Sequence, residues 1–251
     1  MTAPEAGDAA RGLFGDAAED YDRLRLAPST DALEWMMSGR ERVVLDLAAG
    51  TGQISRQLDR PGLDVVAVEP DEQMRAVLGR RCPHARVLSG VAEDIPVEEA
   101  SIDTVLVGTA WHWFDTGRAL AEVARILRPG GRLAAVGTIP DPYVGWVEEL
   151  IDPAEADHLR ANMQATYIDV ALPSAAFTAV ETHEVASSVR MPAEDARAYF
   201  ATRSGYLIAD AQEKARLDNI TRRGLAARFP SAQQIELPQR SWCWRTQKTA
   251  L

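Results

Sequence analysis

Cysteine is scarce in this sequence: Cys82 and Cys243 stand far apart in a chain of 251 residues, with no CxxC or Cys/His ligand spacing around either. That argues against a disulfide framework and a structural zinc site, and no metal is expected. Such staples are unnecessary, because a chain of this length buries roughly 70–75% of its unfolded surface. A reducing cytoplasm is the compartment this thiol usage implies. Basic residues are also in deficit, with 27 Lys and Arg against 37 Asp and Glu, a formal net charge of −10 and a pI near 5.0. A molecule so acidic, without a dense basic cluster, is poorly built to grip phosphate backbones, so nucleic acid is not an expected partner. Long apolar runs are missing too. The longest uncharged stretches, 104–114 and 170–180, are eleven residues each, against the ~20 that span a bilayer. Residues 1–14 mix small and acidic types with no basic region leading into an apolar stretch, which is not the pattern of an export signal. What remains, 46% hydrophobic and 25% charged, is the balance of a soluble globular protein.

Apolar periodicity organises the chain. Tyr21, Leu24, Leu33 and Met36 suggest one or two short helices interrupted near Pro28. Val43 to Leu47 is a short β-branched run that breaks into a glycine turn, after which Ile54 and Leu58 stand four apart as on a helix face. The unit repeats, with a strand over 64–69 and a helix over 71–81 carrying Met74, Val77 and Leu78 on one stripe. Strands are predicted over 86–89, 103–107 and 132–136, with a helix from about Thr116 to Leu127 stopped by Pro129, Gly130 and Gly131. Near-continuous apolar strands alternating with amphipathic helices mean a parallel sheet covered on both faces. The β-formers of 177–190 and 234–247 supply two final strands, and Ala193 to Arg228 reads as helical with Leu207, Leu217, Ile220 and Leu225 facing inward. The expected fold is therefore α/β: a doubly wound, mainly parallel, seven-stranded, Rossmann-like sheet. The chain divides into an N-terminal segment, 1–40, a Rossmann-like core, 41–137, and a cap of helices and loops with the last two strands, 138–251.

The chemistry gathers where strands hand over to helices. Asp46, Ala48, Gly50 and Gly52 lie in the run VLDLAAGTG at 44–52, at the carboxyl end of the first strand. Glycines there let a ligand touch the backbone while helix N–H groups point at its negative groups. Glu69 ends the next strand, where a carboxylate accepts both hydroxyls of a ribose, so the pair indicates a nucleoside-containing cofactor. The plainer alternative is a tight turn and a solvent-facing acid. Gly50 to Ser55 nearly fits the dinucleotide fingerprint GxGxxG, lacking the third glycine, which keeps an NAD-dependent oxidoreductase open. After the fourth strand comes GTAWHWFD at 108–115, with Gly108, Thr109 and His112 beside the expected reaction centre. His112 either removes a substrate proton or orients its loop. Trp111 and Trp113 either line an apolar wall or pack in the core. No GxSxG or HExxH occurs, and the Asp141-Pro-Tyr143 segment follows the wrong strand for an amino-methylase tetrapeptide.

In these motifs the sequence resembles the class I S-adenosylmethionine-dependent methyltransferases, in particular the small-molecule group called methyltransferase type 11. VLDLAAGTG is similar to their first motif, VAVEPD at 66–71 to the acidic second, AEDIP at 92–96 to the adenine-binding third, and LRPGGRL at 127–133 to the turn before the fifth strand. The likeness runs from about Phe14 to Val136. It implies S-adenosylmethionine as cofactor, its methionine end at Ala48, Gly50 and Gly52 and its ribose on Glu69. The Ala92 backbone and Glu93 carboxylate would read the adenine edge, with Pro70 on the ring. Glu93 as an ordinary helix-entry acid is the alternative. The family usually has glycine where Ala48 stands. The segment FGDAAEDYDRLR at 14–25 looks like the family's N-terminal cover, which implies Tyr21 and Arg25 at the methionine carboxylate; a core Tyr and a solvated Arg are the bland alternative. The reaction implied is methyl transfer to a small organic acceptor. Tyr143, Trp146, Met163, Tyr167 and Phe177 offer apolar surface for it, or pack the cap. A fold of this kind that keeps the cofactor without methylating is the remaining alternative.

Overall fold

The computed structural model describes residues 18–151, 153–168, 172, 175–202, 206 and 209–249. Seven strands, β1 (Val43–Leu47), β2 (Asp64–Val68), β3 (Arg86–Leu88), β4 (Ile102–Gly108), β5 (Leu127–Pro140), β6 (Glu181–Pro192) and β7 (Gln234–Gln247), form one sheet in the order β3-β2-β1-β4-β5-β7-β6. The first five are parallel. β7 runs antiparallel to both β5 and β6, which makes the sheet mixed rather than uniform. β1 pairs with β2 on one side and β4 on the other, so the chain reverses its direction of travel across the sheet there. Ligands of such sheets bind in the crevice beyond the strands' carboxyl ends at this reversal.

Alternation along each strand explains the apolar runs. Leu45, Leu47, Val105 and Val107 face one core together with Leu120 and Val123 of helix α5 (Thr116–Ile126). Val44, Val65, Leu106 and Val136 face another, with Leu33 and Met36 of α2 (Thr30–Met36). Both faces are covered, so the strands are mostly apolar on both sides, with Asp46 and Thr104 among the few buried polar positions. Helix α1 is Ala18–Leu24, α3 is Ser55–Leu58 and α4 is Glu72–Arg81. Asp71 caps α4 by accepting from the Met74 N–H at 2.9 Å, and Met74, Val77 and Leu78 are its buried stripe, as the periodicity predicts. A third cluster gathers Val147 of α6 (Gly145–Glu148), Ala156 of α7 (Pro153–Met163), Tyr199 and Phe200 of α8 (Ala193–Ala201) and Leu225 of α9 (Ala211–Arg228). Leu225 is buried and Leu217 and Ile220 are half-buried, whereas Leu207 lies outside the described residues. Cys82 and Cys243 are both buried, and burial pushes their thiols up to about 11 and about 12. No helix among the described residues is long and apolar enough to cross a membrane.

Two strands depart from the expected bounds by more than one residue. β5 begins at Leu127 and runs to Pro140, absorbing the Pro-Gly-Gly turn as a register shift: Leu127 pairs with Ile102 and Arg132 with Thr104. Its far end, 137–140, is held by Trp242 to Gln239 of β7, a partner more than a hundred residues away that local patterning does not reveal. β6 starts at Glu181 rather than Phe177, which instead makes an isolated bridge to Lys248.

A single π-type turn, 164–168, lays Tyr167 against β5. Gly137 permits this, because a Cβ there would stand 2.6 Å from Tyr167 Cε2. Tyr167 is 2% exposed, and its hydroxyl has no hydrogen-bond partner among the described residues. Leaving such a group buried costs about 1–3 kcal/mol. Tyr167→Phe should therefore raise the free energy of unfolding by about 1 kcal/mol, read from urea denaturation; a loss of similar size would mean that the hydroxyl is bonded.

Candidate active site

Between β1 and α3 the chain makes a turn in which three residues have positive φ: Ala48 at 55°, Gly50 at 57° and Gly52 at 92°. An alanine in this region is strained by about 1–2 kcal/mol, which gives glycine at that position a physical reason. The two glycines differ in what they face. A Cβ on Gly52 would stand 2.5 Å from Leu78 Cδ1 and 3.0 Å from Cys82 Sγ, so that residue seats the turn on α4. A Cβ on Gly50 would meet only Met74 Sδ, at 3.7 Å, so its backbone borders open space.

Two buried carboxylates hold the turn. Asp46, 1% exposed, accepts at one oxygen from the Ser55 N–H at 3.0 Å and hydroxyl at 2.6 Å. Ser55 stands where a third fingerprint glycine would be, so the position serves this tie. Burial raises the Asp46 pKa to about 6, against the lowering by the Ser55 bonds. Glu69, 6% exposed, accepts from the Gly50 N–H at 2.8 Å and, on its other oxygen, from the Asp71 N–H at 2.9 Å. Burial raises its pKa as well. A carboxylate oxygen has capacity for two donors, so each of these retains one acceptor site. Pro70, half-buried, is fixed by its carbonyl accepting from Arg75 Nη1 at 2.5 Å.

The other predicted residues converge from separate segments. Ala92 is buried in the first core cluster. Glu93 accepts from the Asp115 N–H at 2.8 Å, joining its loop to the residue that caps α5. Gly108 lies where a Cβ would stand 2.8 Å from Ile54 Cδ1. Thr109 has φ 51°, and its N–H donates to the Val136 carbonyl at 2.7 Å. A 3₁₀ turn, Trp111–Trp113, follows. Trp111 is buried edge-on to Trp244 at 4.8 Å and takes the packing role. Trp113 is half-buried beside His112, ring centroids 4.6 Å apart. His112 keeps solvent exposure as a residue, while desolvation by the surrounding protein, with the nearby Arg25 charge, lowers its pKa to about 4. Tyr21 and Arg25 are half-buried, the guanidinium 4.9 Å from the Tyr21 ring centroid. Burial opposes the Arg25 charge, but Tyr21 and Tyr199 more than offset it and its pKa is raised. Residues 14–17 of that segment lie outside the described residues.

Of the side chains read as acceptor surface, Tyr143 is open, 62% exposed. Met163, Tyr167 and Phe177 are buried in the main core, and Trp146 packs edge-on against Phe229 at 5.1 Å. Asp141 is buried and pairs with Arg240 through both carboxylate oxygens, at 3.0 and 3.2 Å, while Arg240 lies 5.0 Å from the Tyr143 ring centroid. A cleft of about 740 Å³ is lined by Val43, Asp64, Arg86, Ile95, Ser101 and Ile102. It sits at the amino ends of the strands, and of the predicted site residues it includes none. Asp22, Gln53 and Ser55 were not singled out by patterning, and each bonds to the turn or its flank.

Residues 45–135 match the methyltransferase domain family. An uncharacterized methyltransferase of Mycobacterium bovis is 39% identical over 238 residues, covering 92% of this chain and 94% of that protein. This chain belongs to the methyltransferase family. The enzyme is also 29% identical to an uncharacterized methyltransferase of Schizosaccharomyces pombe over 184 residues, 70% of this chain and 72% of that one. In fold the methyltransferase is similar to a SAM-dependent methyltransferase of Thermotoga maritima, with TM-score 0.52 and 19% identity over 95% of this chain and 99% of that one. Membership of the methyltransferases displaces the oxidoreductase alternative.

Asp46 gives the methyltransferase a distinctive pH response. Its native pKa is about 6 and its unfolded value about 3.9, so the native state holds the proton more tightly and Asp46 destabilises the fold as pH rises from 4 to 6.5. His112, lowered to about 4, has the opposite sign in the same window. Comparing Asp46→Asn with wild type cancels the histidine. The variant should gain up to about 3 kcal/mol on wild type between pH 4 and 6.5 in denaturant titrations; a constant difference would show that the carboxyl is not perturbed.

Proposed function

We propose that this methyltransferase uses S-adenosylmethionine to methylate a small organic molecule. The observation that carries the reading is the pairing of Gly50, backbone open, with Glu69, buried and retaining an acceptor site on each oxygen, at the sheet's reversal point. That arrangement suits a ribose diol with a small charged tail beside it. When bound, the cofactor supplies a methyl group on a positively charged sulfur. Glu69 would take the ribose hydroxyls, the Ala92 backbone and Glu93 the adenine edge, and Pro70 the ring face. Ala48, Gly50 and Gly52 would border the methionine end, with Gly108 and Thr109 across from them. Arg25, held over Tyr21, would face the methionine carboxylate, where a guanidinium fork is well matched.

Methyl transfer is an in-line displacement, so the protein's work is to position the acceptor and exclude water. His112 is neutral above about pH 5 and would take the acceptor's proton. Trp113 and Tyr143 give the acceptor aromatic surface. An acidic molecule with that surface suits a small molecule better than a polyanion. Two buried, unpaired thiols are consistent with a cytoplasmic protein.

Calorimetric titration with S-adenosylmethionine and with NAD tests the cofactor, and heat with NAD alone would overturn it. Mass spectrometry of candidate acceptors should show a gain of one methyl group with S-adenosylhomocysteine as co-product. Bound cofactor without that product from any acceptor would favour a non-methylating role for the site. A cofactor-bound crystal structure with a shallow basic groove would sink the small-molecule assignment.

His112→Ala should lower turnover ~10²-fold if the imidazole is the base. Wild-type kcat/KM should then show an acid limb only below about pH 5 that the variant lacks. Unchanged turnover would leave His112 as a loop-orienting residue.

A further inference from the structure

Helix α1 is held to the segment after the glycine turn by one residue. Asp22 has its side chain 1% exposed, with Arg56 Nη2 at 3.1 Å from one carboxylate oxygen and Arg81 Nε at 2.9 Å from the other. Its backbone carbonyl accepts from Gln53 Nε2 at 2.8 Å, and Gln57 Nε2 donates to the Pro28 carbonyl at 3.0 Å. Gln53, Arg56 and Gln57 all lie within five residues of Gly52, and Arg81 ends α4. Ala18 and Tyr21 of the same helix pack with Met74 and Val77, and Met74 is the residue whose sulfur is nearest to the Cβ position of Gly50.

The second ion pair between α1 and α4, Glu19 with Arg80, has both side chains more than half exposed, the setting in which a pair contributes little. A buried carboxylate between two guanidiniums is the opposite case: removing its charge leaves two like charges facing each other. α1 also meets α8 through Arg23 with Asp195, and Leu26, just after α1, packs in the cluster of Tyr199 and Phe200. Asp22 thus fixes α1 against the turn, while Arg23 and Leu26 fix it against the outer helices.

We infer that Asp22 is a positioning residue for the cofactor: it locks α1 onto the helices after the glycine turn, so that Tyr21 and Arg25 stand over the methionine end. This rests on the reading that the turn binds S-adenosylmethionine. Asp22 touches no reacting atom and acts through its neighbours on α1.

The test is binding of S-adenosylhomocysteine to the full chain by stopped-flow and calorimetry, with hydrogen exchange of 18–26 in its presence and absence. Asp22→Asn should weaken affinity about tenfold, chiefly through faster dissociation, and should abolish the ligand's protection of 18–26. Asp22→Glu should recover most of the affinity. Arg81→Gln removes one arm at a half-exposed side chain and serves if Asp22→Asn does not fold. It should cost about threefold, whereas Arg80→Ala should stay within twofold of wild type. Wild type that binds S-adenosylhomocysteine, with Asp22→Asn or Arg81→Gln within twofold of it and protection unchanged, would overturn the role of Asp22 alone. Wild type that does not bind it would overturn the cofactor reading as well.

Discussion

The bond from Ser55 to the buried Asp46 carboxylate is what the rest of the site depends on. It joins the end of β1 to the start of α3 across a turn whose backbone would not otherwise hold its shape, with three residues at positive φ, one of them alanine. The carboxylate is costly to bury, and its raised pKa shows that two donors do not fully offset that cost. Strain and desolvation are concentrated at one turn and supported by the packed sheet below it, the usual arrangement where a backbone must be presented to a ligand. Glu69 then has a fixed object to bond, the Gly50 N–H, and its own carboxylate is aimed by that bond.

Topology makes this arrangement possible. The reversal of strand order at β1 and β4 leaves a crevice that no crossover helix fills. Segments far apart in sequence reach its rim: α1 from one side, the loop of Ala92 and Glu93 from another, and the 3₁₀ turn with His112 from a third. The antiparallel β7, slotted between β5 and β6, carries Trp244 beneath Trp111 and so supports the turn bearing His112 from the core side.

Local signals made much of this legible. β1 and β2 and the stripe of α4 follow from residues within ten positions of each other, and the glycine turn with Glu69 is a short-range pattern. The end of β5 was not legible, because 137–140 become a strand only through pairing with 239–242. Nor was the burial of Met163, Tyr167 and Phe177, since an apolar residue in an irregular stretch reads alike whether it lines a cavity or fills the core. Asp22 escaped for a related reason: a carboxylate beside Tyr21 on a short helix looks solvated until Arg56 and Arg81 are folded against it. Ser55 was read as a missing glycine, although its hydroxyl is what that position requires.

The twelve-residue β6 forms one margin of the sheet, and a long strand at a margin is a template on which further strands can grow into fibrils. Its side chains oppose that. Glu181, Glu184 and Arg190 are exposed along it, so in-register stacking of copies would set each charge against its own like. The two glutamates are also drawn inward to Arg245 and Arg240 of β7, and Pro192 closes the strand with a residue that has no N–H to offer. These charges and the terminal proline disfavour the addition of a further strand at this margin.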